Sequence, residues 1–331
     1  MVLSSGSRHS DPRYVVVTGG TGFIGRALCA HLAAGNRPHR RIVRALPAGA
    51  AAAAETFALG DLATAPEERL AAALDGAFAI VHLAARVHAP GKTPADSAAF
   101  HAANVVATER LAVAAVHAGV QRVVFASTIK VHGETTPPGR PFHADDPFAP
   151  QDEYGRSKAD AERALVRVCS GTGVAPVIVR LPLVYGPGVK GNFLTLLDAV
   201  ARRVPLPFGA IHNRRDLLYV GNLVHAVTRL LDGPEPPIGT WLSSDGDALS
   251  TPELARRLAA ALGVAPRIFT LPLPLFKLAA VLTGRSPMVP RLAASLEVDS
   301  APLQRKVGAP PFTVDQGLAA TAAWWRARHA I

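Results

Sequence analysis

Two side chains that could move a proton, Tyr154 and Lys158, lie four residues apart in the segment YGRSK. In a helix this spacing places both side chains on one face. An ammonium group beside a phenol lowers the phenol's pKa from about 10 toward neutrality, which makes the phenol an acid and base usable near neutral pH. The pair therefore indicates acid–base chemistry, although many helices contain Tyr and Lys at this spacing by chance.

Two hydroxyl side chains strengthen that interpretation. Ser127 and Thr128 follow directly on a predicted strand, and ligands of open parallel sheets bind at the carboxyl ends of the strands. A hydroxyl there could hydrogen-bond the same substrate oxygen as Tyr154. Asn104, in the long helix before that strand, is a further catalytic candidate that could hold a backbone or water relay; a surface asparagine is the commoner explanation.

A glycine-rich turn lies directly between a β-branched run and a helical pattern near the start of the chain. The first glycine of such a turn permits the tight bend, the second lets a pyrophosphate approach, and the third lets helix and strand pack closely. The free N–H groups at the start of the helix then face the phosphates. The predicted phosphate-binding residues are Gly19, Gly22, Phe23, Ile24 and Gly25.

Strands and helices alternate along the first half of the chain. The predicted strands cover residues 14–18, 41–45, 56–59, 78–83, 122–126 and 176–181. This alternation predicts an α/β fold, a doubly wound parallel (Rossmann) sheet with a smaller, discontinuous C-terminal substrate-binding domain. We expect a flexible tail over 1–12, a dinucleotide-binding domain over 13–182 with 214–244 returning to it, and a substrate-binding domain over 183–213 and 245–331.

The cofactor type follows from a missing acidic residue. An NAD site carries Asp or Glu at the end of the second strand, but no acidic residue occurs from Pro12 through Ala54. Arg37, Arg40, Arg41 and Arg44 occur there instead, which favours the 2′-phosphate of NADP(H) while leaving NAD(H) possible.

A second cofactor contact is predicted after the third strand. The Asp61 carboxylate and the Leu62 amide are placed to meet an adenine ring. An aspartate in an exposed turn explains the same residue nearly as well.

Composition narrows the class of protein. The chain of 331 residues has 49% apolar residues and a net charge of +10, with arginines single or in pairs rather than in runs. This favours diphosphate-bearing small molecules over nucleic acid or a membrane surface. No metal site is predicted. Cys29 and Cys169 are expected to be buried hydrophobic residues. The apolar stretch 269–282 is broken by prolines and Lys277, so no membrane span is predicted. With no secretory signal predicted either, we expect a cytoplasmic protein. The long helices over 96–118 and 152–170 are expected to form a homodimer.

These features together resemble the extended short-chain dehydrogenase/reductase family over nearly the whole chain. The matching segments are TGGTGFIG (18–25), DL (61–62), HLAA (82–85), Asn104, ST followed by VHG (127–133), YGRSK (154–158), and RRD with YV (214–220). The resemblance implies that Tyr154 is the catalytic acid and base, that Lys158 lowers its pKa and binds the nicotinamide ribose, and that Thr128 is the catalytic hydroxyl, with Ser127 the next choice. It also implies cofactor contacts at Leu83, Ala84 and Ala85.

Within the family, the chain resembles bacterial nucleotide-sugar enzymes of polysaccharide and O-antigen synthesis. Many epimerases of that group carry an Asn three residues after the arginine of the sixth strand, whereas Arg180 is followed by Leu181, Pro182 and Leu183. This favours NAD(P)H-dependent reduction of the C4 ketone of a UDP-4-keto-6-deoxy-N-acetylhexosamine. A UDP-hexose 4-epimerase with tightly bound NAD is the alternative, and a non-enzymatic redox sensor is a distant third.

Substrate contacts are predicted on loops after the strands. A nucleotide sugar needs cationic and amide donors for its diphosphate. The predicted substrate-binding residues are Arg86, His88, Lys130, Lys190, Asn192 and Arg215. His132, in the segment VHG, could meet substrate, but packing is favoured.

Overall fold

A computed structural model describes residues 14–46, 56–87, 93–233, 237–272, 274–275 and 288–329. The strands are β1 (Val15–Thr18), β2 (His39–Val43), β3 (Thr56–Ala58), β4 (Ala79–His82), β5 (Arg122–Thr128), β6 (Ala175–Leu181), β7 (Leu183–Tyr185), β8 (Leu217–Tyr219) and β9 (Gly239–Leu242). The predicted tail over 1–12 and the alanine-rich segment 48–54 lie outside the described residues.

The helices flank the strands in chain order. They are α1 (Phe23–Ala34), α2 (Glu67–Leu74), α3 (Pro94–Phe100), a π-helix (His101–Val106), α4 (Ala107–His117), a 3₁₀ turn (Ile129–Val131), α5 (Glu153–Cys169), α6 (Gly191–Ala201), α7 (Val220–Asp232), α8 (Thr251–Leu262), α9 (Met288–Ala293), α10 (Ala301–Val307) and α11 (Val314–His329).

Seven strands form one sheet in the order β3-β2-β1-β4-β5-β6-β9. The pairings of β1 with β2 and with β4 are parallel, with Val15 opposite both His39 and Ala79. The strand order reverses at β1, which defines the doubly wound topology and its ligand-binding switch point. Val15, Val16 and Val17 are fully buried, as expected for a strand covered on both faces. The predicted fold class is confirmed.

The chain divides into two compact units. The first contains the described residues within Met1–Ala126, Asp160–Ile178 and Leu230–Gly239, and the second those within Ser127–Ala159, Val179–Arg229 and Thr240–Ile331. The domain boundaries expected from the sequence stay a prediction.

The core of the first unit comes from apolar residues of strands and helices. Leu70 of α2, Ile80 of β4, Leu111 of α4 and Leu165 of α5 belong to one buried cluster. Burying such a side chain stabilises the fold by about 1.5–3 kcal/mol. This packing fixes the strands whose carboxyl ends carry the first candidate site.

In the second unit, pairing between distant segments replaces a large sheet. Strands β7 and β8 pair in parallel, and a segment near the chain end makes isolated bridges at Phe142 with Val298 and at Arg215 with Leu296. The amide of Phe142 donates to the Glu297 carbonyl at 2.9 Å. The two isolated bridges and this hydrogen bond join residues more than 80 positions apart, so no local sequence pattern predicts them.

Two further predictions have outcomes here. The helix expected over 96–118 is interrupted by the π-helix. A π turn inserts an extra residue without changing the apolar composition, so the sequence pattern did not reveal it. Cys29 and Cys169 are buried free thiols, and burial raises the pKa of both, that of Cys169 to about 11. Across the described ranges, no helix is both long enough and apolar enough to cross a bilayer.

Candidate active site

The glycine turn after β1 brings backbone segments into close contact. Gly19 has a φ of +69°, and a Cβ there would lie 2.8 Å from the Ala84 amide nitrogen. A Cβ on Gly25 would collide with the Gly19 carbonyl and lie 2.8 Å from Gly20 Cα, whereas a Cβ on Gly22 would meet only that same carbonyl, at 3.1 Å. Gly19 and Gly25 thus serve packing, and Gly22 leaves an open approach to the backbone.

The start of α1 fits the phosphates of a dinucleotide. Gly22 is its N-cap, no side chain caps the helix, and the first turn holds no acidic residue. The N–H groups at the start of a helix carry partial positive charge, and Phe23 and Ile24 supply the first of them. The donor set and the open face at Gly22 fit a diphosphate at this turn.

A buried hydrogen-bond chain supports the turn. Thr108 Oγ1 donates to the Asn104 carbonyl at 2.6 Å, so its oxygen must accept from His82 Nε2 at 3.0 Å. His82 Nδ1 then accepts from Thr18 Oγ1 at 2.6 Å. This counting of donors and acceptors assigns His82 as neutral and protonated on Nε2. The roles of Thr18 and Thr108 are not visible in the sequence, because a polar residue inside an apolar run does not reveal its partner.

The same chain anchors the segment after β4. The amides of Leu83 and Ala84 both donate to Thr18 Oγ1 at 3.2 Å. Ala85 follows with its side chain exposed. Two of the three predicted cofactor contacts of this segment therefore lie against the glycine turn, and their role toward a cofactor stays a prediction.

Asn104 is held within the π-helix and bonds to backbone. Its side chain is 1% exposed, with Oδ1 accepting from the Arg86 amide at 2.8 Å and Nδ2 donating to the Arg86 carbonyl at 3.0 Å. The Arg86 guanidinium lies 3.6 Å from Asp96 and over the ring of Phe100. Asn104 thus fixes the segment after β4, and catalytic participation of Asn104 stays a prediction.

The four arginines near β2 do not act together. Arg37 Nη1 lies 2.7 Å from Asp232 Oδ1, and Arg40 Nη1 donates to the carbonyls of Ala72 and Ala73 at 2.9 Å. The prediction that all four surround a 2′-phosphate is therefore wrong for Arg37 and Arg40. Arg37 precedes β2 and lies at the edge of the sheet opposite the glycine turn, since parallel strands start at the same edge.

The other two arginines lie nearer the carboxyl end of β2, Arg41 at its middle residue and Arg44 just after it. Arg41 donates to Thr56 Oγ1 at 3.0 and 3.2 Å, and its aliphatic part packs against Gly20. Arg44 follows β2 and is exposed. The sequence did not distinguish Arg41 from Arg40, because strand alternation alone does not say which face each residue takes.

The predicted adenine contact lies in an Asx turn. Asp61 is exposed, and its Oδ1 accepts from the Ala63 amide at 3.0 Å, while Leu62 is buried. A carboxylate engaged with its own turn keeps its second oxygen for a ligand, so the adenine role stays a prediction.

The proton-transfer residues lie in the second unit. Tyr154 and Lys158 occupy the first turns of α5, with Lys158 1% exposed. A hydrogen bond joins the hydroxyls of Tyr154 and Thr128, and Ser127 is buried beside Thr128. Ser157 Oγ donates to the Tyr154 carbonyl at 2.8 Å and fixes this turn.

The acidity of Tyr154 departs from the sequence expectation. Its pKa is raised to about 12, mainly by burial and also by the charge of Asp152, with the hydrogen bond from Thr128 opposing the rise. The predicted lowering toward neutrality is therefore not produced by the chain's own residues, because burial and Asp152 dominate.

Lys130, a predicted substrate ligand, is engaged elsewhere. Its ammonium lies 2.6 Å from Glu134 Oε1 and 2.6 Å from Asp152 Oδ2. The sequence contained a sign of these ion pairs, since Glu134 and Asp152 follow Lys130 by four and 22 residues. Only the folded structure shows that both carboxylates reach the ammonium.

The remaining predicted substrate ligands occupy two loops. Lys190 is the N-cap of α6 and Asn192 lies in its first turn, both exposed. Arg215 Nη1 donates to the Ala294 carbonyl at 2.9 Å. His88 lies outside the described residues, and none of these roles is tested by the geometry.

His132 packs, as favoured from the sequence. Its Nε2 lies 2.6 Å from Arg180 Nη1, its Nδ1 lies 3.2 Å from the Pro147 carbonyl, and its ring stacks on Phe142 and Phe148. Arg180 is therefore directed inward. In the part of the chain that the structure describes, no group of three or more His, Cys, Asp or Glu side chains could hold a metal ion.

A doubly wound sheet with a glycine turn after β1 and a Tyr-Lys helix after β5 is the architecture of the short-chain dehydrogenase/reductase class. The model of the NAD dependent epimerase/dehydratase family matches residues 15–239. The chain belongs to this family, as the sequence predicts.

Relatives and solved structures support the assignment. A UDP-glucose 4-epimerase of Vibrio cholerae is 36% identical over 316 residues, covering 94% of this chain and 95% of that protein. A dTDP-6-deoxy-L-talose 4-dehydrogenase (NAD(P)(+)) of Kitasatospora kifunensis is 36% identical over 198 residues, 59% of each protein. MoeE5 in complex with UDP-glucuronic acid and NAD superposes with a TM-score of 0.74 and 26% identity, over 96% of this chain and 99% of that one.

Proposed function

We propose that this protein transfers hydride at C4 of a nucleotide sugar, and that its reaction is the NAD(P)H-dependent reduction of a UDP-4-keto-6-deoxy-N-acetylhexosamine. The observation that carries the proposal is the hydrogen-bonded pair Thr128 and Tyr154, with Lys158 buried one turn further along α5. Two hydroxyl groups this close together could both contact one substrate oxygen, which supports the proposal.

The residues divide the chemistry between them. The reduced cofactor supplies hydride when bound. As the C4–H bond forms, the electrons of the C4 carbonyl move to its oxygen, and Tyr154 donates its phenolic proton to that oxygen. Thr128 hydrogen-bonds the developing alkoxide, and Lys158 stabilises the phenolate that remains. Ser127 is the alternative residue for the role proposed for Thr128.

The raised pKa of Tyr154 suits the reductive direction. A phenol with a pKa of about 12 holds its proton at neutral pH and is ready to donate it. In the oxidative direction the same group must first lose that proton, which the positive charge of a bound oxidised nicotinamide favours.

The relatives support the position of attack and the substrate class. The Vibrio cholerae and Kitasatospora kifunensis proteins are named for reactions at C4 of nucleotide-linked hexoses, and MoeE5 is described with a UDP-sugar acid. For the diphosphate we propose Lys190, Asn192 and Arg215, and for the sugar Arg86 and His88.

Cofactor choice is proposed as NADP(H), with Arg41 and Arg44 as contacts of the 2′-phosphate. No acidic residue stands at the end of β2, and Arg41 packs directly on Gly20 of the phosphate turn. An Asp or Glu that would hold the two ribose hydroxyls of NAD is absent from that position.

Reaction by epimerisation is the second candidate. The resemblance to the Vibrio cholerae UDP-glucose 4-epimerase over 94% of the chain favours it. An epimerase would oxidise C4 with bound NAD and return hydride to the opposite face, so that cofactor is not consumed. A redox sensor is a distant third, because both Tyr154 and Lys158 are present.

Cofactor absorbance tests these proposals. Mixing the protein with NADPH or NADH and a UDP-4-keto-6-deoxy-N-acetylhexosamine is expected to consume reduced cofactor, faster with NADPH. Tyr154→Phe is expected to lower kcat by about 10²–10⁴-fold, since it removes the proton donor. Tyr219→Phe removes a phenolic hydroxyl outside the proposed site and serves as the matched control. UDP-hexose interconversion without cofactor loss would establish the epimerase instead.

A homodimer through the long helices is a further part of the proposal. Val113 of α4 and Val166 of α5 are apolar and exposed, at 40% and 47%. Light scattering of the wild type and of a Val113→Glu, Val166→Glu variant tests it, and a monomeric wild type would contradict it.

A further inference from the structure

A cluster of three charged side chains lies at the start of α5, and its centre is Lys130. We propose that Lys130 is a positioning residue for Tyr154: it holds the first turn of α5 and the Thr128 hydroxyl in one arrangement and balances the charge of Asp152. The inference rests on the proposed role of Tyr154 as the acid–base group, and it reassigns Lys130 from substrate binding.

The side chain of Lys130 links two segments. Its ammonium bonds Glu134 Oε1 and Asp152 Oδ2, both at 2.6 Å. Bonds between charged donors and acceptors at this distance are the stronger class of hydrogen bond. The exposed fractions of the three side chains are 30%, 22% and 36%, so the cluster is partly protected from water.

Asp152 extends the link into the helix. Its Oδ1 accepts from the Gly155 amide at 2.7 Å, which is the bond of an N-cap residue. Since Oδ2 of the same carboxylate bonds Lys130, the ammonium holds the group that fixes where α5 begins. Tyr154 lies between Asp152 and Gly155, so its backbone is fixed by this cap.

The backbone of Lys130 completes the arrangement. A Cβ on Gly155 would lie 2.8 Å from the Lys130 carbonyl oxygen, so the two backbones are in direct contact. The Lys130 amide donates to Thr128 Oγ1 at 3.3 Å. One residue thus contacts both the helical turn that carries Tyr154 and the hydroxyl that bonds the phenol.

The cluster also sets the charge near the phenol. The charge of Asp152 opposes loss of the Tyr154 proton. Lys130 bonds both Asp152 and Glu134. Thr128 supplies a hydroxyl to the phenol, and Lys158 lies one turn further along the same helix. Replacing Lys130 by a neutral residue leaves two carboxylates without their counter-charge, which disfavours the phenolate.

A substrate role fits Lys130 less well. An ammonium has three donors, and two of them already serve carboxylates. One positive charge against two negative charges gives the cluster a net negative charge, which repels a diphosphate.

The test is the titration of Tyr154 in protein saturated with oxidised cofactor. Phenolate absorbance of each variant is measured against the same variant carrying Tyr154→Phe. Lys130→Met is expected to shift the titration to higher pH, Asp152→Asn and Glu134→Gln to lower pH, and Lys130→Arg to restore the wild-type curve. Arg163→Met, which removes a positive charge from an exposed pair on the same helix, is the matched control and is expected to shift nothing.

Kinetics separate positioning from binding. Lys130→Met is expected to lower kcat about tenfold with KM unchanged, because a charge-assisted contact is lost away from the substrate. If Asp152→Asn fails to fold, Glu134→Gln still reports the charge effect, since it lies outside α5. An unshifted titration with a raised KM in Lys130→Met would overturn the inference in favour of substrate binding.

The outcome is separable from the proposed function. Shifted titrations without turnover of any nucleotide sugar would sink the substrate assignment and support the positioning role. Turnover of the 4-keto sugar with unshifted titrations would sink the positioning role alone.

Discussion

The glycine turn and the tyrosine turn are built on different physics. The turn after β1 is held by backbone contacts of Gly19 and Gly25 and by a neutral chain through Thr18 and His82. The turn at Tyr154 is held by charges, with Lys130 between two carboxylates. The first therefore depends on shape and the second on protonation state.

The difference suits the two proposed tasks. A diphosphate keeps its charge over a wide pH range, so a site for it needs fixed N–H groups and no titrating neighbour. A proton donor must respond to its surroundings, and charged neighbours supply that response.

The largest expected effect sharpens the claim about shape. Gly19→Ala adds a Cβ 2.8 Å from the Ala84 amide nitrogen at a φ of +69°, and we expect it to cost about 3 kcal/mol or more of stability and to abolish tight cofactor binding. Chemical denaturation and cofactor titration measure both quantities. Gly60→Ala is the matched control, because Gly60 has a φ of +71° with no atom within 4 Å, and it should cost only about 1–2 kcal/mol. Equal losses in the two variants would show that close backbone contact is not what the turn requires.

A smaller effect is expected from the neutral chain. Thr18→Val removes the acceptor of two amides and the donor to His82, and it should destabilise the protein by roughly 2–3 kcal/mol and weaken cofactor binding. Thr108→Val removes the acceptor of His82 Nε2 and the donor to the Asn104 carbonyl but leaves both amides bonded to Thr18, and it should cost roughly 1 kcal/mol. Equilibrium unfolding in urea compares them. A larger loss in Thr108→Val than in Thr18→Val would contradict the assigned direction of the chain.

The smallest expected effect concerns Asp216, and it tests whether protonation state also affects stability elsewhere in the second unit. Burial raises the pKa of Asp216 to about 6, while its 6% exposed carboxylate accepts from the Val298 amide at 2.9 Å. A carboxyl whose pKa is higher in the folded than in the unfolded state binds its proton more tightly when folded. Stability from this group is therefore present below about pH 4 and is lost as pH rises through about 6.

Asp216→Asn is expected to remove that dependence, because the amide oxygen can still accept from Val298 but cannot titrate. Urea unfolding of wild type and variant at acid and neutral pH gives the difference. A wild type whose stability relative to the variant rises with pH across this window would refute the assignment.

Local sequence was sufficient for the frame of the molecule. The β-branched run before Gly19, the three-residue spacing of the glycines and the alternation of strands and helices each concern neighbouring residues, and all predict the observed sheet. The four-residue spacing of Tyr154 and Lys158 likewise places them in successive turns of α5, because helical geometry is local.

Tertiary structure alone decided which charges act where. Arg37 and Arg40 lie close to Arg41 in the sequence, yet Arg37 bonds Asp232 and Arg40 bonds the end of α2. Arg37 precedes β2, and Arg40 takes the opposite face of β2 from Arg41. Lys130 resembles a substrate ligand in sequence, but folding brings Glu134 and Asp152 to it. The partners of buried polar and charged groups lie on segments distant in the chain. Neither residue spacing nor composition shows which of those segments will meet.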